Sequence, residues 1–144
     1  ALDWRTLGPL LPDGGEVEGL ELAWCLAALD AGERVRAKAR LTDMVSRFDE
    51  AAPEWLRTDT FNQLGCLAAF EGDEVFARAC LAQVQETQSQ PWYSLLLEAC
   101  IARAAGQPWS LEAWRRAVDG APGRVLALAG NEWILADLEG PTSR

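Results

Sequence analysis

Apolar residues recur at helical spacing along most of this chain. From Glu16 to Asp30 they follow the i, i+3, i+4, i+7 rule on one face, while Leu22, Leu26 and Leu29 mark a second face. A helix that is apolar on two faces packs between neighbouring elements. Later segments have the same period, and no stretch sustains the alternation of a β-strand. The pattern predicts seven helices, at residues 16–30, 33–48, 58–70, 73–87, 91–105, 111–119 and 124–138.

Residues that are common at helix ends separate these segments. Gly32, Gly72 and Gly106 each follow a predicted helix, where glycine commonly ends one, and they lie 40 and 34 residues apart. Periods in this range are typical of arrays of helix pairs. Short polar side chains accept hydrogen bonds from the unpaired amides at a helix start, and the predicted N-caps of this kind are Thr58 or Asp59, Asp73 and Ser110.

The middle of the chain carries a repeat motif, which reads Phe61-x2-Leu64-Gly65-x6-Gly72-x4-Ala77-x3-Leu81. This motif resembles the tetratricopeptide repeat, whose pattern is W-x2-L-G-x2-Y, a small residue at the turn and then A-x3-F. Weaker matches flank it, with Trp24, Gly32, Ala37 and Leu41 before it and Leu97, Trp114, Ala117 and Pro122 after it. Small residues at Gly65 and Ala77 would let the two helices of the unit approach closely.

The resemblance implies an all-α fold, an antiparallel helix-pair solenoid of right-handed, tetratricopeptide-like form. About three pairs would make up a single domain at residues 16–140, after a lead-in at residues 1–15. The pairs would lie at residues 16–48, 58–87 and 91–119. The helix at 124–138 would cap the array, with a polar side formed by Glu132, Asp137 and Glu139.

The resemblance also implies a binding groove, because such arrays hold peptides or helices on the concave face lined by the first helix of each pair. The groove residues that it assigns here are Leu22, Leu26, Asp59, Asn62, Cys66, Trp92 and Leu95. Asn62 resembles the asparagine with which some arrays grip a peptide backbone. The basic residues that hold a C-terminal carboxylate in chaperone-binding members are missing. A groove that is apolar with one amide favours a hydrophobic segment or a helix as its ligand.

Charge and composition exclude several kinds of partner. The formal net charge is −9, from 22 acidic and 13 basic residues, which argues against nucleic acid and anionic membranes. No apolar run reaches the roughly 20 residues that cross a bilayer, and no signal segment opens the chain. Because the chain begins at Ala1, we interpret it as an excised domain or a processed product. The abundance of arginine over lysine favours a GC-rich bacterial genome.

The chain offers little to catalysis. It has no histidine, which removes Ser-His-Asp triads, Cys-His pairs and histidine-ligated metal sites. No glycine-rich phosphate loop is present. We interpret the cysteines as small buried hydrophobes in a reducing, cytoplasmic setting, with a disulfide or a metal site as alternatives. The four are Cys25, Cys66, Cys80 and Cys100. We therefore expect no enzymatic activity, no metal and no cofactor.

The function that we expect is a non-catalytic scaffold or adaptor domain, which binds a protein or peptide in its concave face. The alternative is a ligand-sensing or self-associating regulatory domain of a larger bacterial transcription or signalling protein. A homodimer could form through an exposed apolar face of the last helix, at Trp133, Ile134 and Leu138. The basic segment 34–40 is interpreted as a solvated face with local salt bridges, and an acidic partner is its alternative.

Overall fold

The computed structural model describes residues 18–87, 92–121 and 130–140, which contain seven helices and no strand. They are α1 (Glu18–Asp30), α2 (Arg34–Arg47), α3 (Glu54–Phe70), α4 (Glu74–Thr87), α5 (Trp92–Ala104), α6 (Glu112–Asp119) and α7 (Glu132–Glu139). The all-α prediction is confirmed for this part of the chain. The predicted lead-in 1–15 and the stretch 124–129 of the predicted last helix lie outside the described residues. The predicted last helix was wrong at residues 130 and 131, which form a turn, so that α7 begins only at Glu132.

Helices α1, α3 and α5 end in the same motif, and each is followed by a glycine with positive φ. These glycines are Gly32, Gly72 and Gly106, with φ of 82°, 82° and 71°. After α3, the Gly72 amide donates to Ala69 O at 3.1 Å and the next amide, of Asp73, donates to Ala68 O at 2.8 Å. Equivalent pairs of bonds close α1 and α5. This is the Schellman arrangement, which pairs the last carbonyls of a helix and favours glycine.

The predicted cap at Asp73 is confirmed by its hydrogen bond, and Ser110 bonds to the start of α6 from one residue before the N-cap, Leu111. Asp73 Oδ1 accepts from the Phe76 amide at 3.1 Å, before α4. Ser110 Oγ accepts from the Glu112 amide at 3.1 Å, at the start of α6. Both side chains pair an amide that the first turn of a helix leaves without a partner.

The predicted start of α3 was wrong, because this helix begins at Glu54 and contains both Thr58 and Asp59. Pro53 immediately precedes it, and a proline suits a helix start because it has no amide to leave unpaired. The extra turn also buries Leu56 in the core. Burial of an apolar side chain therefore outweighs the local preference of a threonine and an aspartate for a cap position.

The helices pack in an order that gives α3 the central place. Consecutive helices contact each other from the pair α1–α2 to the pair α5–α6, and α3 also contacts α1 and α5. Helices α1, α3 and α5 therefore form one layer, with α3 in the middle. Along α3, nearly every residue from Leu56 to Ala69 is buried, as expected of a helix with neighbours on all sides.

Gly65 is the point of closest approach in this layer. A Cβ atom at Gly65 would lie 2.7 Å and 2.8 Å from the two terminal carbons of Leu97 in α5, and 2.9 Å from Cys80 Cβ in α4. Real Cβ atoms do not approach other atoms so closely, so α4 and α5 can pack against α3 at this distance only because residue 65 has no side chain.

The first helix pair is joined by a buried acid. Glu21 in α1 is fully buried, and its carboxylate accepts from Arg40 Nη1 at 3.2 Å and from Arg47 Nη2 at 2.9 Å. The Arg40 guanidinium also lies 5.3 Å from the centre of the Trp24 ring. Within the basic segment, Lys38 pairs with Glu71 at 2.9 Å. These pairs agree with the interpretation of the segment as a face with local salt bridges.

We predict that Gly65→Ala lowers the free energy of unfolding by about 1 kcal/mol. Overpacking costs about 1–3 kcal/mol, and the better helix propensity of alanine returns only about 1 kcal/mol. Urea unfolding monitored by circular dichroism measures this change. Gly19→Ala is the matched control, since its Cβ would meet Trp55 at an ordinary 3.7 Å, and it should cause no loss. A Gly65→Ala chain as stable as the parent would contradict the close approach.

Candidate functional site

The last helix, α7, lies across the layer formed by α1, α3 and α5. It packs against α1, accepts and donates hydrogen bonds with α3, and forms an ion pair with α5. We call the surface that it contacts the docking face. The docking face is defined by Arg34, Asn62, Gln63, Phe70 and Arg103.

Buried amides join α3 to the start of α7. Asn131 Oδ1 accepts from Asn62 Nδ2 at 3.2 Å and from Gln63 Nε2 at 3.1 Å, and Gln63 Nε2 also reaches Gly130 O at 3.2 Å. Asn131 stands at the N-cap position of α7, but its side chain does not cap that helix. An asparagine at this position usually accepts a hydrogen bond from its own helix, whereas Asn131 accepts hydrogen bonds from α3.

Trp133 is bound by three kinds of contact. Its indole Nε1 donates to Gln63 Oε1 at 2.6 Å. Its ring meets Phe70 edge to face, with centroids 5.7 Å apart, and the Arg34 guanidinium lies 5.4 Å from its ring centre. Edge-to-face pairs and cation–π contacts each add to the apolar burial of a tryptophan. The donor of the indole is satisfied at the same time, so the whole side chain fits the docking face.

A buried carboxylate is held between two arginines one turn further along α7. Asp137 Oδ1 accepts from Arg34 Nη2 and Oδ2 accepts from Arg103 Nη1, both at 2.9 Å. The Asp137 side chain is 3% exposed, against 36% for Arg34 and 17% for Arg103. Charge-assisted bonds of this length are among the stronger ones. They bring the start of α2 and the end of α5 to one point on α7.

Two expectations about the last helix are corrected by these contacts. Asp137 does not lie on a polar outer side with Glu132 and Glu139, because the two arginines neutralise it in a buried position. Trp133, Ile134 and Leu138 do not form an exposed apolar face, because all three are buried against the rest of the chain. The apolar side of α7 is therefore already covered within one copy of the chain.

Only one residue of the predicted groove, Asn62, belongs to the docking face. Leu22 and Cys66 are buried in the core, and Leu26, Asp59 and Leu95 are half-buried. Trp92 begins α5, and its side chain lies outside the described part of the structure. The expected surface, apolar with one amide, differs from the docking face, which combines two amides, two arginines and an aromatic ring.

Arg34 was missed because the repeat motif assigns groove positions only to the first helix of each pair, and Arg34 stands at the start of a second helix. Gln63, Phe70 and Arg103 lie on first helices, but at positions that the motif does not assign to the groove. Gln63 follows Asn62 directly, and the signal that could have found it is the polar stretch from Thr58 to Gln63 inside an otherwise apolar helix. Polar residues that are buried on a central helix need partners from another element.

The four cysteines are free thiols in the core, as expected of small buried hydrophobes. The close pair is Cys66 and Cys100, whose sulfurs lie 3.6 Å apart. Burial raises the pKa of Cys25 and of Cys80 to about 12, and burial together with the Cys100 thiol also raises the pKa of Cys66. A raised pKa leaves little thiolate at neutral pH, so the sulfurs of Cys25, Cys66 and Cys80 are poor nucleophiles.

A broad depression lies away from the docking face, between α2, α3 and α4. Its volume is about 650 Å³ including space open to solvent, and Phe48, Arg57, Phe61 and Gln83 are among the residues that line it. Asp49 and Glu50 stand at the same depression. Small-molecule sites are usually concave and enclose most of their ligand, which an open depression does not do.

Neither protein-family models, nor curated proteins, nor solved structures give a significant match to this chain. Within the described ranges, no group of three or more histidine, cysteine or acidic side chains is placed to hold a metal ion. None of the described helices combines the length and the apolar character that a membrane-spanning segment requires.

We predict that Asp137→Asn lowers the free energy of unfolding by about 2 kcal/mol or more, since it removes the charge from two buried charge-assisted bonds. Glu74→Gln is the matched control. It breaks the exposed pair with Arg78 and should cost less than about 1 kcal/mol. Urea unfolding of both variants tests this difference. Equal effects would show that the Asp137 pair contributes no more than a surface ion pair.

The Asp59 carboxyl should make the free energy of unfolding depend on pH. Burial raises its pKa from an ordinary 3.8 to about 7, so between these values the folded chain binds a proton that the unfolded chain has released. Stability should therefore fall as the pH rises from about 4 to about 7. Asp59→Asn should remove this fall and stabilise the chain above pH 7 by about 1–4 kcal/mol. Unfolding at pH 5 and pH 8 measures it, and an unchanged dependence in the variant would exclude Asp59 as its source.

Proposed function

We propose that this chain is a non-catalytic protein-interaction domain that holds a helical segment of a partner protein on its docking face. The observation that carries the proposal is the position of α7. The chain's own helix already lies across α1, α3 and α5, and it is bound there by amides, arginines and an aromatic ring. A surface that can hold one helix in this way is suited to hold another of similar chemistry.

The chemistry of the docking face supports recognition of a helix over non-specific apolar adhesion. Gln63 is fully buried, and both ends of its amide are hydrogen-bonded to the α7 segment. A ligand that lacks suitable partners would leave this amide unsatisfied, at a cost of about 1–3 kcal/mol. Trp133 and Asp137 are four residues apart. Such residues are neighbours on one side of a helix, whereas in an extended strand they lie far apart along the chain. The contact points are therefore spaced for a helix.

Other features of the chain support a binding role over a catalytic one. The cysteine pKa values that are raised by burial disfavour nucleophilic catalysis, and the chain has no histidine to act as a base near neutral pH. A net charge of −9 favours a protein or peptide partner over nucleic acid. Four unpaired thiols favour a reducing compartment, so we place the domain in the cytoplasm.

The proposal predicts that weakening α7 makes the docking face accessible. Helical peptides selected from a random library against the full Trp133→Ala chain should bind that chain about tenfold more tightly than the wild type. The reason is that α7 competes for the same surface. Only molecules in which α7 has left the docking face can bind the peptide, and the apparent affinity is weakened by the fraction of such molecules. Fluorescence anisotropy with labelled peptides measures both affinities.

Glu132→Gln is the matched control, because Glu132 lies on α7 but is exposed. It should leave peptide affinity at the wild-type value. If the selected peptides bind all three chains equally, they bind elsewhere and the docking face is not the interaction surface. If no helical peptide can be selected against the Trp133→Ala chain, the proposed function is wrong.

A further inference from the structure

We infer that the partner helix carries a tryptophan and, four residues later, an aspartate, and that α7 is an internal copy of this ligand. The inference rests on the proposed function and adds to it the chemistry of the partner. It follows from what each part of the docking face requires of the helix that lies on it.

The tryptophan is selected by Gln63 and Phe70 together. Gln63 Oε1 is buried and accepts the indole hydrogen of Trp133 at 2.6 Å. The ring itself fills the space beside Phe70 and under the Arg34 guanidinium. Phenylalanine or leucine would fill part of that space but would leave the buried Gln63 oxygen without a donor, which is costly. A large aromatic ring with a donor on its edge is the group that meets both requirements.

The aspartate is selected by the two arginines. Arg34 and Arg103 bind opposite oxygens of Asp137, each at 2.9 Å. An uncharged residue at this position would leave two guanidinium groups facing each other in a partly buried site with no anion between them. Because Asp137 follows Trp133 by four residues, both requirements are met by one face of a helix. The docking face therefore selects a helix that contains the sequence Trp-x3-Asp.

The internal copy does not satisfy the docking face completely. Asn62 Oδ1 is buried and has no hydrogen-bond partner in the described part of the chain. A partner helix with a donor near Asn62 would improve this contact. Such a helix can replace α7. Weaker ligands cannot displace α7, so the docking face stays closed to them.

The test uses a labelled peptide with the sequence of residues 130–140, held helical by a hydrocarbon staple between the positions of Glu132 and Ala136, which are exposed in α7. Matched peptides carry Phe in place of Trp or Asn in place of Asp. On the full Trp133→Ala chain, the parent peptide should bind at least about tenfold more tightly than either matched peptide, and the wild-type chain should bind it about tenfold more weakly than the variant does. Fluorescence anisotropy measures all four affinities.

A second measurement keeps the inference testable if the Trp133→Ala chain does not fold. In the ¹⁵N-labelled wild-type chain, excess parent peptide should move the Trp133 indole N–H resonance to the position of a solvent-exposed indole, as α7 leaves Gln63. The peptide with Asn in place of Asp137 should leave it in place. A Trp133 resonance that the parent peptide does not move would overturn the inference.

The outcomes separate this inference from the proposed function. Equal binding of the parent and both matched peptides overturns the Trp-x3-Asp inference, while library helices that bind at the docking face would still support a helix-binding domain. Failure of the library helices and of the parent peptide together would overturn both. The wild-type chain could also sediment as a dimer that the parent peptide dissociates. In that case a second copy of the chain occupies the docking face, and the inference of a separate partner protein is overturned.

Discussion

The structure depends on one constraint, which is that the polar side chains buried in the middle of α3 must find hydrogen-bond partners. Thr58, Thr60, Asn62 and Gln63 are all fully buried. Thr60 solves the problem locally, by donating to Leu56 O of its own helix at 2.7 Å. Asn62 and Gln63 cannot do so and take their partners from Asn131 and Trp133. Because unsatisfied buried amides are costly, α7 has one register on α3 in which these bonds form.

The rest of the fold brings the other partners of α7 into place. Close packing at Gly65 sets α5 against α3, and the shared turn motif ends α1, α3 and α5 in the same way. As a result, Arg34 and Arg103, which are far apart in the chain, reach the same carboxylate. The layer of helices is held mainly by apolar contacts, and α7 adds directional bonds to the burial of Trp133, Ile134 and Leu138. These directional bonds are what make α7 resemble a bound ligand.

Much of the fold could be predicted from local signals. Helical periodicity and the turn glycines located the described helices, except for the starts of α3 and α7. The cap at Asp73 was correct because a cap depends on residues two or three positions away. The start of α3 was wrong because burial of Leu56 overrode a local preference. The docking face was mostly missed, since Gln63 and Trp133 are 70 residues apart and no periodic pattern records such a pair. Asp137 was expected at the surface for the same reason, because the arginines that pair with its charge lie on other helices.

The central claim is that α7 is a separable element held on the docking face by buried polar contacts, and native-state hydrogen exchange tests it most directly. The account predicts that amides of α7 exchange through an opening of lower free energy than amides of α3, and that Gln63→Leu reduces protection in α7 while α3 keeps most of its own. If α7 and α3 exchange with the same free energy, and Gln63→Leu lowers both equally, α7 is part of one cooperative core and the claim is contradicted.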